Sequence, residues 1–195
     1  MSGVELPALE ADMVISSHKH SDHYAPSVVS VSSRTPGFDI MRIACFHDEA
    51  EDANRGRNYI TVIESEGLRV AHLGDIGHQL SENQLEKLGK IDITLLPIGG
   101  TYTLNADEAA ELVKSTQPFA VVPMHYLRNG IGFDCTRFSP ELYKALRCYQ
   151  NARQYLGNRN SSRDHKRTLL RQAHTEIKNT PYVKRSMVSR QKKVN

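Results

Sequence analysis

The sequence predicts an α/β protein, and three observations carry that reading. From Ile91 onward a strand-like apolar run, a helix and a second apolar run alternate, which is the grammar of a layered α/β protein. Upstream, two runs flank Ser65-Glu66-Gly67 as the arms of a β-hairpin. Finally, His47, Asp75 and His125 each stand where a predicted strand ends, and layered α/β proteins build their sites on loops leaving strand ends.

The elements follow in order. Met13-Val14-Ile15 reads as a short buried strand delivering the chain to a histidine-rich loop over 18–24. Ile40 to Phe46 reads as the next strand, and Asn58 to Glu64 and Leu68 to Leu73 as the hairpin arms. Ser81 with Gln84 three residues on forms a capping-box pattern, so a short helix is expected to about Leu88. Ile91 to Ile98 is an apolar strand closed by Gly99-Gly100. Asn105 with Glu108 repeats the capping-box pattern and opens a helix through Lys114. Phe119 to Met124 is the last strand of the body.

The chain has 195 residues, 39% hydrophobic and 24% charged, which suits one soluble domain of ordinary size. No apolar run is long enough to span a bilayer, so no membrane partner is expected. The opening residues lack the basic patch and apolar stretch of a secretory signal. Cys45, Cys135 and Cys148 are too widely spaced for a CxxC zinc site and odd in number for a disulfide framework. A reducing cytoplasm is the expected compartment.

The net charge of +3 hides an asymmetry. Residues 1–150 carry 13 basic and 20 acidic side chains, net −7, whereas 151–195 carry 12 and 2, net +10. The expected organisation is a body over 1–150 and a basic, flexible tail over 151–195, with a linker at 157–162 and too few apolar residues beyond Pro181 to form a core. The tail lacks the interleaved aromatics of a single-strand binder, and nucleic acid is not an expected partner.

Chemistry concentrates in His18-Lys19-His20-Ser21-Asp22-His23. In an extended segment, alternate side chains point the same way, so His18, His20 and Asp22 can converge, and the turn that follows brings His23 in from the side. Neutral imidazole and carboxylate oxygen are the donors that hold zinc or a similar divalent ion. His47, Asp75 and His125 add further donors at strand ends. His72 alternates with Leu68 and Val70 and reads as a packing or hydrogen-bonding residue; Cys45 reads as a small buried hydrophobe. His78 is placed to orient a ligand or the substrate, Tyr102 to line a pocket, and Arg55 and Arg57 to meet a phosphate or carboxylate, each against an ordinary surface or loop role.

This order of motifs resembles the metallo-β-lactamase superfamily. Phe46-His47-Asp48, Arg55-Gly56-Arg57-Asn58, the run from Ala71 to His78, the run from Leu96 to Thr103 and Pro123-Met124-His125-Tyr126 are similar to the bacterial branch related to L-ascorbate-6-phosphate lactonase. The resemblance covers about Ala11 to Phe133. It implies an αββα sandwich with metals at one edge. His18, His20 and His47 would hold one metal, Asp22, His23 and His125 the other, and Asp75 would bridge them. A hydroxide between two divalent ions, zinc in the first place and manganese or iron(II) as alternatives, would be the nucleophile, with Asp75 and Asp22 as the catalytic carboxylates. The substrate class implied is a lactone, ester or phosphoester of a small polar metabolite. A metal-binding but catalytically silent fragment and a nuclease of the same fold are the alternatives.

Two departures accompany the resemblance. Only 17 residues precede His18, so the N-terminal sheet is expected to lack its first strands, leaving an edge for a second copy or a partner chain to cover. Beyond about Ser139 the similarity is gone.

Overall fold

The computed structural model describes residues 8–21, 23–48 and 55–126. Two sheets are present among them. A parallel ribbon pairs β1 (Leu9–Ala11) with β2 (Val29–Val31). The main sheet has five strands in the order β3 (Asp39–Phe46), β4 (Arg57–Ser65), β5 (Leu68–His72), β6 (Ile93–Pro97) and β7 (Ala120–Met124). Pairing is antiparallel from β3 to β5 and parallel from β5 to β7. The mixture follows from the connections: a two-residue turn suffices for the hairpin, whereas the parallel steps run through α1 (Glu82–Leu88) and α2 (Ala106–Thr116).

Strand periodicity decides which face becomes the core. Ile43 and Cys45 of β3 lie opposite Ile60 and Asn58 of β4, Val62 lies opposite Ala71 of β5, and Leu73 and Leu96 continue the same face. All are buried. Helix α2 covers this face with Ala106, Ala109, Ala110 and Val113, spaced so that they form one stripe. Three of the four are alanines, so the helix axis can come close to the sheet. Fully burying a residue such as Ile60 is worth about 1.5–3 kcal/mol, so this layer supplies much of the stabilisation. The opposite face, with Tyr59, Ile63, Val70 and Leu95, is only half buried.

Both helices start as the sequence predicts. Ser81 accepts from the Gln84 backbone N–H while the Gln84 side chain accepts from the Ser81 N–H. Asn105 accepts from Asp107 and Glu108, and the Glu108 carboxylate accepts from the Asn105 N–H at 2.7 Å. Gln84 also reaches out of its helix to donate to the Ala44 carbonyl at 2.9 Å, capping the outer edge of β3. α2 runs two residues past Lys114, to Thr116, and ends on Gln117 in the left-handed conformation.

The sequence reading needs correction at the N-terminal side. Met13-Val14-Ile15 is not a strand, and Met13 and Val14 are exposed. Its apolar side chains find no neighbouring strand; instead this segment lies across the half-buried sheet face, where Arg42 stacks on Tyr59 at 4.1 Å and donates to the Ser16 carbonyl at 2.8 Å. The strands β1 and β2 were not expected. Asp12 fixes the end of that ribbon by accepting from Ser32 at 2.6 Å and Arg34 at 2.9 Å. No helix among the described residues is long and apolar enough to cross a membrane. The expected body-to-tail boundary and the tail itself lie outside the described residues.

Candidate metal centre

Four segments converge where the strands end: the loop at 17–23, the end of β3 at His47, the turn after β5 at Asp75, and the residue after β7, His125. Asp75 is their centre. Its side chain is 5% exposed, and its Oδ2 lies 3.2 Å from His23 Nε2, 3.4 Å from His47 Nε2, 3.4 Å from His125 Nε2 and 3.9 Å from His18 Nε2. His20 joins through His18 and His47, with ring centroids 4.5 and 5.2 Å away. Donor atoms of His18, His20 and His47 lie within 4.8 Å of one another, as do those of His18, His23 and Asp75. Asp22 lies outside the described residues.

Electrostatics suit a cation. Burial pushes His18 down to about 4, with His23 adding to the effect, so the ring is neutral at pH 7 and its lone pair is available. Burial works to raise the Asp75 carboxyl, but hydrogen bonds from His125, His23 and His47 outweigh it and hold the group well below the usual carboxylate range. His18 Nε2 is buried with no hydrogen-bond partner, while Ser17 Oγ occupies the other ring nitrogen at 3.0 Å. A buried nitrogen lone pair facing a buried carboxylate costs free energy unless something satisfies it, and a divalent ion does. The residues therefore fit the metal that the motif implies.

The backbone is bent to this purpose. His125 has φ of 55°, a left-handed conformation that a non-glycine residue adopts at a cost of about 1–3 kcal/mol. It turns the imidazole back toward Asp75 directly after β7. Gly74 has φ of 58°, and a Cβ there would lie 2.2 Å from Asn58 Oδ1 and 2.5 Å from Ser17 Cβ. At Gly77 a Cβ would lie 2.2 Å from the His47 carbonyl oxygen. The turn carrying Asp75 is thus pinned between the segments carrying His18 and His47.

The remaining residues singled out from sequence fall around this cluster. His78 accepts from the Phe46 N–H at 3.0 Å through Nε2 and donates from Nδ1 to the Gln79 carbonyl at 2.7 Å, so it fastens the end of β3 next to His47. His72 is a hydrogen-bonding residue: its Nδ1 accepts from the Gly74 N–H at 3.1 Å. Cys45 is buried, its thiol pushed up to about 11 by desolvation. The Arg55 guanidinium lies 3.7 Å from the centroid of the Tyr102 ring, joining the loop before β4 to the loop after β6. Arg57 begins β4 opposite Phe46 and is exposed. A cleft of about 560 Å³, walled by Met13, Ile15, Tyr24, Ile40 and Tyr59, runs between the 13–19 segment and the sheet as far as His18.

Sequence reasoning missed Asn58 and Ser17. The signal for Asn58 was its parity: it shares a strand face with Ile60 and Val62, and a polar residue on a buried parity needs an explanation.

With this geometry in view, the comparisons with known proteins decide the family. The family model for the beta-lactamase superfamily domain matches residues 1–125. The chain belongs to that superfamily. A UPF0173 metal-dependent hydrolase of Caldivirga maquilingensis is 30% identical over 167 residues, covering 70% of this chain and 72% of the relative. One from Thermoplasma acidophilum is 27% identical over 169 residues, covering 71% and 74%. Among solved structures, a proposed zinc-dependent hydrolase of the metallo-β-lactamase superfamily from Thermotoga maritima superposes with a TM-score of 0.55 at 34% identity, covering 71% of each chain. The α/β fold expected from sequence is the fold of this superfamily.

Proposed function

We propose that this chain is a metal-dependent hydrolase working with two divalent ions. The observation that carries the reading is the set of four imidazole nitrogens within 4 Å of a single buried oxygen of Asp75. His18, His20 and His47 would hold one ion, and His23 and His125, with Asp22, the other. Asp75 would be shared between them. Zinc suits this nitrogen-and-carboxylate set, and manganese or iron(II) are accepted by the same donors. When bound, such ions lower the pKa of a coordinated water to about 7 and polarise the substrate oxygen.

The chain's own residues do the rest. Asp75 supplies negative charge at the centre of the cluster and fixes the imidazoles that face it. Asp22 would accept or return the proton of the reacting water. Arg55, stacked on Tyr102, would be the cation that meets a phosphate or carboxylate on the substrate. The substrate class we favour is a lactone, ester or phosphoester of a small polar metabolite, on the strength of the motif resemblance; the hydrolase names of the relatives support the reaction type.

The test is elemental mass spectrometry on the purified protein and on Asp75→Ala, alongside turnover of a lactone, an ester and a phosphodiester probe. The reading expects close to two equivalents of metal in the native protein, loss of at least one in the variant, and hydrolysis of one probe class. Two tightly held equivalents in Asp75→Ala would remove the shared carboxylate from the mechanism.

A further inference from the structure

We infer that Asn58 is the positioning residue of the metal centre: its carboxamide sets where Asp75 stands relative to the segments carrying His47 and His18. This rests on the reading of Asp75 as a shared ligand. Asn58 is fully buried in β4, and its carboxamide bonds to backbone groups and to the Cys45 thiol. It thereby holds the backbone around the clustered donors. Its Nδ2 donates to the Leu73 carbonyl at 2.8 Å and to Cys45 Sγ at 3.1 Å, and its Oδ1 accepts from the Asp75 N–H at 3.1 Å. The Cys45 thiol returns a bond to the Asn58 carbonyl at 3.3 Å. Both amide donors and one acceptor site are thereby used.

The three anchors belong to two ligand segments. Cys45 lies two residues before His47. Leu73 and Asp75 straddle the turn after β5. The third segment is reached by contact: Gly74 carries no side chain because Asn58 Oδ1 and Ser17 Cβ would both lie within 2.5 Å of a Cβ there. The Ser17 carbonyl in turn accepts from the Tyr59 N–H at 3.0 Å, and its hydroxyl lies 3.0 Å from His18 Nδ1. A single carboxamide therefore sits where the His18, His47 and Asp75 segments meet. A hydrocarbon of the same size would fill the space but leave the Leu73 carbonyl and the Asp75 N–H unsatisfied, and the turn would relax away from the cluster. Only an amide offers donors on one side and an acceptor on the other at this span. Groups that orient metal ligands typically change metal affinity by 10–100-fold when removed.

The experiment measures cobalt(II) affinity by competition with a chromogenic chelator, and the visible spectrum of the cobalt(II) protein, for the full chain and four variants. Asn58→Leu keeps the branched shape, is somewhat bulkier and removes the bonds; Asn58→Ser removes them without added bulk and serves if the leucine variant does not fold. Leu112→Ala destabilises the core through α2, away from the cluster, and Asp75→Ala tests the ligand itself. The expected result is a loss of affinity of at least tenfold with an altered cobalt spectrum in the Asn58 variants, and a change under threefold in Leu112→Ala. Asn58 variants that bind as the native protein does, while Asp75→Ala loses metal, would overturn the inference and leave the ligand reading standing. Equal losses in Leu112→Ala would overturn it too, by reducing the effect to general stability. Tight binding by Asp75→Ala would bring down the ligand reading and this inference together.

Discussion

Replacing three glycines by alanine separates backbone conformation from steric locking in this fold. At Gly37 a Cβ meets nothing within 4 Å and the backbone is not left-handed, so Gly37→Ala should be neutral or stabilise by up to about 1 kcal/mol through the unfolded chain. At Gly67, in the hairpin turn, space is open but φ is 72°, so Gly67→Ala should cost about 1–2 kcal/mol. Gly74 adds contacts to a φ of 58°: Asn58 Oδ1 at 2.2 Å and Ser17 Cβ at 2.5 Å must move. Overpacking costs about 1–3 kcal/mol. If Asn58 yields, its bond to the Asp75 N–H goes as well, about 1 kcal/mol more. Gly74→Ala should therefore lose about 3–6 kcal/mol, a large share of the 5–15 kcal/mol typical of a domain. Urea unfolding of the three variants, with equal slopes, reads the order directly. Gly74→Ala within 1 kcal/mol of Gly67→Ala would refute the locking argument, because conformation alone would then account for both.

Other perturbations probe other parts. In the metal-free protein His18 stays neutral down to about pH 4, whereas the unfolded imidazole takes up a proton near 6.5; its contribution is complete above pH 6.5 and should fall away toward pH 4, by about 3 kcal/mol at 1.36 kcal/mol per unit. Urea midpoints at stepped pH test this, and a flat profile from pH 7 to 5 would contradict it. Asp75 adds nothing in that window, since its depressed carboxyl loses stability only below the unfolded value of 3.8. Cys45, buried and with its thiol raised to about 11, should react with an aromatic disulfide reagent only on unfolding, in a Cys135→Ser, Cys148→Ser background. Rapid native-state labelling would contradict that burial. Asn105→Ala should cost about 1 kcal/mol in urea unfolding by removing the cap from the Asp107 and Glu108 N–H groups, and an unchanged midpoint would show the cap to be redundant.

Much of this was legible because the relevant forces are local. The capping boxes at Ser81 and Asn105 state where helices begin, and the Ser65-Glu66-Gly67 turn states where a hairpin reverses. Residues at strand ends announced His47, Asp75 and His125, which the fold brings around one carboxylate. Met13-Val14-Ile15 misled because apolar character is necessary for a buried strand but does not provide a pairing partner. β1 and β2 were invisible for the converse reason: each is three residues long, too short for alternation to show. Asn58 and Ser17 matter through hydrogen bonds to residues more than a dozen positions away or through a neighbour's missing Cβ, and neither leaves a local pattern.

The outer edge of β3 has a further consequence for assembly. Gln84 occupies the Ala44 carbonyl and His78 occupies the Phe46 N–H, and both point away from β4. A foreign strand laid against this edge could register only along the Asp39 half and would be turned aside before reaching His47. His78, from the loop after Asp75, and Gln84, from α1, therefore act as a stop, so pairing through β3 would lengthen the sheet only along its Asp39 half.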